Sequence, residues 1–384
     1  MLLALLACTG PGSDSADKTG PEGVGEGDGP DGEEEVIYTG EIVDLRLELS
    51  AAAISGLATT AEQEVDDVRA SFFFGDTRLV VGLHLKGGGG SFQPITGKPS
   101  FKIDFGQFSG DQRFHGYKHM TLNNMVQDGS MLAEHGAYAL YAAQGLPAPR
   151  HAYARLTVND QPFGLYSVVE TLDENFVDRA FEGPDGPLYE GNTDLIAGYE
   201  PLFDVSVADT DGAELVGLIA ALDGATPETF LATLEVWFDT DQLFDAWAIE
   251  LVTGNPDGYV TRTNNYALYW DPEASRFTMV PWGADLTFAA DLDVTRVYIA
   301  RMYTSCLEVP ACVDALYGRM AGVLETWDRM GFSDWMVEEA ARIEPDCLVE
   351  PRIPGAETSC RAGQTGVLNF VADRPTAVRA QLGI

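Results

Sequence analysis

The sequence predicts an α+β fold of two lobes, β-rich over about residues 39–170 and mainly helical over about residues 171–384. Three patterns carry that expectation. Apolar residues alternate with polar ones before residue 170, apolar residues recur at helical spacing after residue 214, and one short polar hairpin interrupts the helices. With 384 residues, 45% of them hydrophobic, the chain has material for a substantial core.

The β-rich part opens on Ile42, Leu45, Leu47 and Leu49 and continues with expected strands at Ala70–Phe74, Arg78–Lys86 and Ser100–Phe105. Leu132, Tyr138, Leu140 and Tyr141 have helical spacing over Ser130–Gln144, and Gly145 and Pro147 end that helix. Two further strands, Tyr153–Val158 and Phe163–Glu170, flank the turn sequence Asn159-Asp160-Gln161. Helices at Glu214–Leu222, Pro227–Trp237 and Asp241–Val252 follow. The hairpin pairs Asn265–Trp270 with Arg276–Val280 through Asp271-Pro272-Glu273, and the tail is helical over Val313–Ile343 and Gly366–Leu382. A β-rich lobe, a connection and a helical lobe carrying a polar hairpin is an arrangement shared by protein kinases, although fold class does not by itself name a function.

The N-terminus reads as an export signal. Met1 to Ala7 are apolar and run into Leu5-Leu6-Ala7-Cys8, the pattern of a lipoprotein cleavage site, so residues 1–8 are expected to be a signal segment with Cys8 as the acylated residue. No later apolar run approaches the roughly 18 residues of a membrane span, which leaves the lipid as the expected membrane link. Residues 9–38 are rich in Gly, Asp, Glu, Ser and Pro, a composition suited to a disordered acidic tether rather than a core. The folded domain is expected over 39–384. Four cysteines remain, Cys306, Cys312, Cys347 and Cys360, and their closeness in two pairs predicts two short-loop disulfides in an oxidising compartment. Neither pair has the Cys-x2-4-Cys spacing of a zinc knuckle.

Sixty acidic against 23 basic residues leave a formal net charge of −37, which repels a nucleic-acid backbone or an anionic bilayer. A phosphate site in such a chain has to be a local basic island. Lys86, Lys98 and Lys102 supply one around Lys86-Gly87-Gly88-Gly89-Gly90-Ser91, where residues without Cβ allow backbone N–H groups to approach phosphate oxygens. The loop is not a Walker A sequence, since Gly97-Lys98-Pro99 leads into a strand. Lys102 faces the polar side of its expected strand and offers a point charge for phosphates, with Lys98 as a competing candidate, and Glu134 on the following helix is a carboxylate able to hold such a lysine. Asn255-Pro-Asp257-Gly places a carboxylate ahead of the amides Asn264 and Asn265, a combination that suits phosphoryl transfer but also fits an ordinary turn. Asp285, just past the hairpin, is placed to ligate a metal beside Asp257 and Asn265. The five histidines, His84, His115, His119, His135 and His151, show no zinc-protease spacing, and no Gly-x-Ser-x-Gly hydrolase elbow occurs.

In order along the chain, Val81-Gly-Leu-His-Leu-Lys-Gly-Gly, Lys98-Pro-Ser-Phe-Lys-Ile-Asp-Phe, Leu122-Asn-Asn, Asp128-Gly-Ser, Gly145-Leu-Pro-Ala-Pro-Arg150, Val158-Asn-Asp-Gln-Pro-Phe-Gly-Leu-Tyr-Ser-Val-Val-Glu170, Leu188-Tyr, Asn264-Asn-Tyr and Pro281-Trp resemble the spore-coat-protein-H (CotH) kinase-like family. The resemblance covers roughly residues 42–288. It implies a protein-kinase-like fold, ATP with Mg²⁺ or Mn²⁺, and transfer of the γ-phosphate to a secreted or surface protein, from a protein exported and held at the membrane through Cys8. Position by position it implies Asp257 as the catalytic aspartate, Asn265 and Asp285 as metal ligands, and Lys102 or Lys98 as the nucleotide lysine. It also implies Glu170 near adenine or ribose with Asp173 close by, and Arg150 as a phosphate or structural contact. One position departs: the family often has Pro-Trp-Asp-x-Asp where this chain has Pro281-Trp-Gly283-Ala-Asp285, which leaves a kinase-like scaffold without strong catalysis as the alternative.

Overall fold

Alternation in the first half closes into a barrel rather than an open sheet. The structure, a computed structural model, describes residues 35–62, 66–183 and 185–384. Cys8, the signal segment and residues 9–34 of the tether lie outside the described residues. Strands β1 (Ile42–Leu49), β2 (Val68–Phe74), β3 (Thr77–Lys86), β4 (Ser100–Asp104), β5 (His119–Asn123), β6 (His151–Val158) and β7 (Gln161–Val169) pair in the order β1-β2-β3-β4-β5-β7-β6. The barrel closes where β1 runs parallel to β6, with Ile42 opposite Tyr153 and Leu47 opposite Val158. Because side chains alternate along each strand, Leu47, Phe72, Val81, Leu83, Phe101, Ile103, Leu122, Ala154 and Val168 point inward and are fully buried. The outward set on β3 to β7 includes Lys86, Lys102, Asn123, Ser167 and His151, and part of it faces the helical half. β5 was not foreseen from the sequence, since it offers only Met120 and Leu122 to the core.

Residues 35–38, expected in the tether, pack on the barrel. Glu35 accepts hydrogen bonds from the amides of Ile37 and Tyr38, and from Arg150, and Ile37 and Tyr38 are buried against the barrel, so the last expected tether residues belong to the domain.

A short helix α1 (Ala51–Leu57) joins β1 to β2, and α2 (Ala133–Ala143) packs against β6 of the barrel and against two later helices. Asp128 starts α2 by accepting from the amides of Ser130 at 2.9 Å and Ala133 at 2.8 Å. After α3 (Glu174–Ala180), a second sheet of order β11-β10-β8-β9 forms from β8 (Leu188–Gly191), β9 (Asp204–Ser206), β10 (Tyr266–Asp271) and β11 (Arg276–Pro281), so the expected hairpin is the edge of a four-stranded sheet. Helices α4 (Ala213–Gly224), α5 (Phe230–Trp237), α6 (Thr240–Val252), α7 (Tyr259–Arg262), α8 (Arg301–Leu307), α9 (Pro310–Arg329), α10 (Phe332–Cys347) and α11 (Ala356–Leu382) complete the mainly helical half. The expected tail helix over Val313–Ile343 is two helices, broken at Met330 and Gly331, where glycine takes φ +59°. Among the described residues no helix is long and apolar enough to cross a membrane.

Both expected disulfides are present, Cys306–Cys312 and Cys347–Cys360. The second closes the loop between α10 and α11, and that loop is docked on the barrel. Its Glu350, 4% exposed, accepts from Lys98 Nζ at 2.9 Å and from the Leu165 amide at 3.0 Å, so closely that a Cβ at Gly164 would overlap the carboxylate. Arg352 lies over the Phe163 ring and donates to the carbonyls of Ile95 and Gly97. The Arg374 guanidinium in α11 donates to the carbonyls of Leu251 and Val252, which satisfies the end of α6 just ahead of the Asn255–Asn265 segment.

Lys98→Met leaves Glu350 buried without its cation and is expected to lower stability by about 3–5 kcal/mol. The drop is read from the midpoint of urea unfolding, and adding Glu350→Leu recovers part of it. A loss no larger than that of a surface substitution would mean that the pair does not hold the loop.

Candidate active site

Lys86, the last residue of β3, ends a strand whose next residue turns into the glycine loop, and its side chain leaves the barrel toward α2. Its ammonium donates to Asn123 Oδ1 at 2.9 Å. The Asn123 amide in turn donates to both oxygens of Glu134, at 2.9 and 3.0 Å, and Ser167 Oγ donates to Glu134 Oε2 at 2.9 Å. The expected lysine–glutamate couple therefore exists, but its lysine is Lys86 and an asparagine bridges the two. Trp282 lies under the ammonium, with the ring centroid 5.3 Å away.

Three carboxylates converge on this lysine. Burial pushes the Lys86 ammonium down from its ordinary value, and Glu134, Glu190 and Asp285 hold it up. The carboxylates show the complementary shift. Glu134 is raised by burial against the pull of Asn123 and Lys86, and Glu190 on β8 is raised by desolvation and by Asp204. Asp285 is pushed up to about 7, first by burial and then by Glu134. Among the described residues no side chain of another residue donates a hydrogen bond to Asp285. A carboxylate held in that state beside two others is a group that a divalent cation would return to its charged form.

The loop that faces it is built from αL residues. Asn265 takes φ +52°, and its amide nitrogen donates to Asp257 Oδ2 at 2.9 Å and to the Asp257 carbonyl at 3.0 Å. Asn264 adds a second donor to the same carboxylate oxygen at 3.2 Å. Asn265 Oδ1 is thereby turned toward Gly283, where an added Cβ would stand 2.5 Å from it. Gly283, at φ +54°, is thus the residue that makes room for Asn265. The oxygen of Asn265 and the carboxylate of Asp285 are the donors that fit a metal here.

Glu250 on α6 fixes the segment between Asp257 and Asn265. It accepts from the amides of Val260 and Thr261 at 3.1 Å each, and a Cβ at Gly258 would overlap it. A cavity of about 20 Å³ lined by Glu250, Asn255, Gly258, Asn265, Trp282 and Ala284 lies beside it and has room for one water. Burial lifts Glu250 to about 7 against the pull of those amides.

The glycine loop is a tight turn. Gly87, Gly89 and Gly90 have positive φ, Ser91 Oγ donates to the Gly88 carbonyl, and the Gly89 amide donates to the exposed carboxylate of Glu62, which stands where an anionic oxygen would bind.

Other expected ligands are structural. Lys98 is sealed under Glu350 and carries no free charge, which leaves Lys102, on the outward face beside Lys86, as the second cation acting on Lys86 and Glu190. Glu170 is 1% exposed and gripped by Arg150 and Arg179, so it cannot touch adenine or ribose in this arrangement, and Arg150 spends its donors on Glu35, Glu170 and Tyr117. Asp173 caps α3 through the Asn175 amide and accepts from His119 at 2.7 Å. Sequence reasoning missed Asn123, Ser167, Glu190, Trp282 and Glu250. The first four lie inside or beside the quoted motifs, whereas Glu250 has no local signal.

A family model described as "CotH kinase protein" matches residues 84–311. Among curated proteins, the inner spore coat protein H of Bacillus subtilis is 24% identical over 217 residues, 52% of this chain and 57% of that protein. The invasin CotH2 of Rhizopus delemar is 25% identical over 259 residues, 61% of this chain and 42% of that one. The chain thus spans about half the length of the curated relatives it matches. A Helicobacter pylori proinflammatory kinase, CtkA, superposes over 84% of this chain and 94% of its own at 9% identity, with a TM-score of 0.33.

Two outcomes test this geometry. Gly283→Asp does not add a ligand; it forces the side chain into Asn265 at positive φ and is expected to lower stability by about 1–3 kcal/mol in thermal unfolding. The Glu250 carboxyl, ordinarily at 4.5, is held at about 7 in the folded state, so its share of stability is lost as pH rises from about 4.5 to about 7. Glu250→Gln is expected to flatten that part of the pH–stability curve; an unchanged slope would contradict the raised carboxyl.

Proposed function

The chain belongs to the CotH kinase family, and from that premise we propose that it is a Mg-ATP-dependent protein kinase acting on hydroxyl side chains of secreted or surface proteins. The observation that carries the reading is the placement of Lys86, Glu134 and Asp285 around one cleft at the mouth of the glycine loop. Lys86 and Lys102 bind phosphate oxygens, joined by the Gly89 amide once Glu62 has been displaced from it. Glu134 holds Lys86 in place through Asn123. Asp285 and Asn265 Oδ1 are the residues that would hold Mg²⁺ or Mn²⁺, which when bound supplies charge neutralisation on the phosphates.

Asp257 is the residue for the nucleophile. Its Oδ2 is fixed by Asn264 and Asn265, which leaves Oδ1 to accept the proton of a substrate hydroxyl. The hydroxyl oxygen then bonds to the γ-phosphorus as the bond to the leaving diphosphate breaks, and the proton ends on Asp257.

Export is part of the proposal, with Cys8 as a lipid anchor facing the periplasm or cell surface. The two disulfides support an oxidising compartment, as do relatives named for a spore coat and for invasion. Gly283 favours the second reading, a binding scaffold of the same fold with weak or no transfer, because one carboxylate of the family motif is absent.

Purified protein with ATP and Mg²⁺ or Mn²⁺ is expected to label itself or a generic protein substrate. Asp257→Asn should lower the rate by about 10²–10⁴-fold, and Asp285→Ala should abolish labelling. Equal labelling by Asp285→Ala would sink the assignment. Thermal stabilisation by Mg-ATP without transfer would establish the scaffold instead.

A further inference from the structure

The cleft holds two buried polar groups with complementary needs, a hydroxyl without an acceptor and a carboxylate without a side-chain donor. The hydroxyl is that of Tyr138, which lies on α2 one turn after Glu134, on the same face of the helix, and is 2% exposed. Its oxygen has no hydrogen-bond partner among the described residues. The charged groups that act on it are Glu134 and Asp285, and the Ala284 amide approaches it without completing a hydrogen bond. The carboxylate is Asp285, to which no side chain of another described residue donates.

A buried hydroxyl left unpaired costs stability, and burial first, then Glu134, keeps this phenol protonated, so it has one proton to give. Glu134 does not need it. Asn123 donates to both of its oxygens and Ser167 to Oε2. Asp285 does need it, because a carboxylate that gives one oxygen to a cation is ordinarily hydrogen-bonded at the other. The second metal donor already has such support, since the Asn265 amide nitrogen is tied to the Asp257 carbonyl and carboxylate, which leaves its oxygen to the metal. Tyr138 is the unspent donor beside Asp285.

We propose that Tyr138 is a positioning residue for Asp285, its hydroxyl donating to one carboxylate oxygen when the other is given to a divalent cation. This rests on the reading of Asp285 and Asn265 as the metal donors. The hydroxyl is then idle until the cation arrives, and its removal weakens the metal site without weakening the fold. Tyr166 supplies the contrast. Its hydroxyl is also buried and unpaired, but it is enclosed in the barrel core, where the charged groups acting on it are Glu350 and Arg352.

The test compares metal binding with the stability of the protein alone. Mn²⁺ is titrated into the full chain with saturating ADP, and free Mn²⁺ is followed by its electron paramagnetic resonance; the site of interest is the one that Asp285→Ala removes. Tyr138→Phe is expected to weaken that site about 10–100-fold, the usual loss when a hydrogen-bonding partner of a metal ligand is removed. Without metal or nucleotide its Tm should be unchanged or higher than that of the wild type. Tyr166→Phe should likewise keep or raise Tm and leave Mn²⁺ affinity as it is. Wild-type Mn²⁺ affinity in Tyr138→Phe, with the site still lost in Asp285→Ala, overturns the proposal and spares the metal reading. A lower Tm in metal-free Tyr138→Phe also overturns it, because the hydroxyl would then be part of the fold. If the wild type has no Mn²⁺ site that depends on Asp285, the metal reading falls and the proposal falls with it.

Discussion

The cleft is organised by one imbalance of charge. Lys86 is set among Glu134, Glu190 and Asp285, with Lys102 as the other cation acting on it, in a region where desolvation strengthens every repulsion. The surrounding groups answer that imbalance. Asn123 and Ser167 supply Glu134 with neutral donors, Trp282 presents its ring to Lys86, and Asp285, raised by burial and then by Glu134, receives no donor from another side chain among the described residues.

Elsewhere the cations are committed to construction. With 23 basic residues against 60 acidic, a buried cation in this chain tends to be a joint. Lys98 joins the barrel to the disulfide-closed loop through Glu350, Arg150 and Arg179 enclose Glu170, and Arg374 closes the end of α6. These joints hold the barrel, α2 and the Asn255–Asn265 segment in fixed relation, which the active-site reading requires. The same commitment removes Lys98, Arg150 and Glu170 from the set of nucleotide ligands.

Gly283 shows how a motif departure is explained by its neighbour. Read along the chain, it is a missing carboxylate. In the fold it is the space into which Asn265 Oδ1 projects, so the amide and the glycine form one arrangement, and Asp285 is the carboxylate that remains beside them.

Strand alternation, helical spacing, the cysteine pairs and the ordered motifs were legible in the sequence, because each depends on residues near one another in the chain or on a recognised order. Helix α2, the hairpin and both disulfides were found that way, and Asp257, Asn265, Asp285 and Glu134 were named as candidates on the same grounds. Barrel closure was not, since β1 meets β6 across more than a hundred residues and β5 has only two core side chains to announce it. Nor could the sequence choose among Lys86, Lys98 and Lys102. That choice turned on Glu350, 252 positions beyond Lys98, and on Asn123, which reaches Lys86 from another strand. Local pattern determined which residues were available to the site; only the tertiary structure decided which charges were already neutralised, because ion pairing depends on distance in space and the chain carries no record of it.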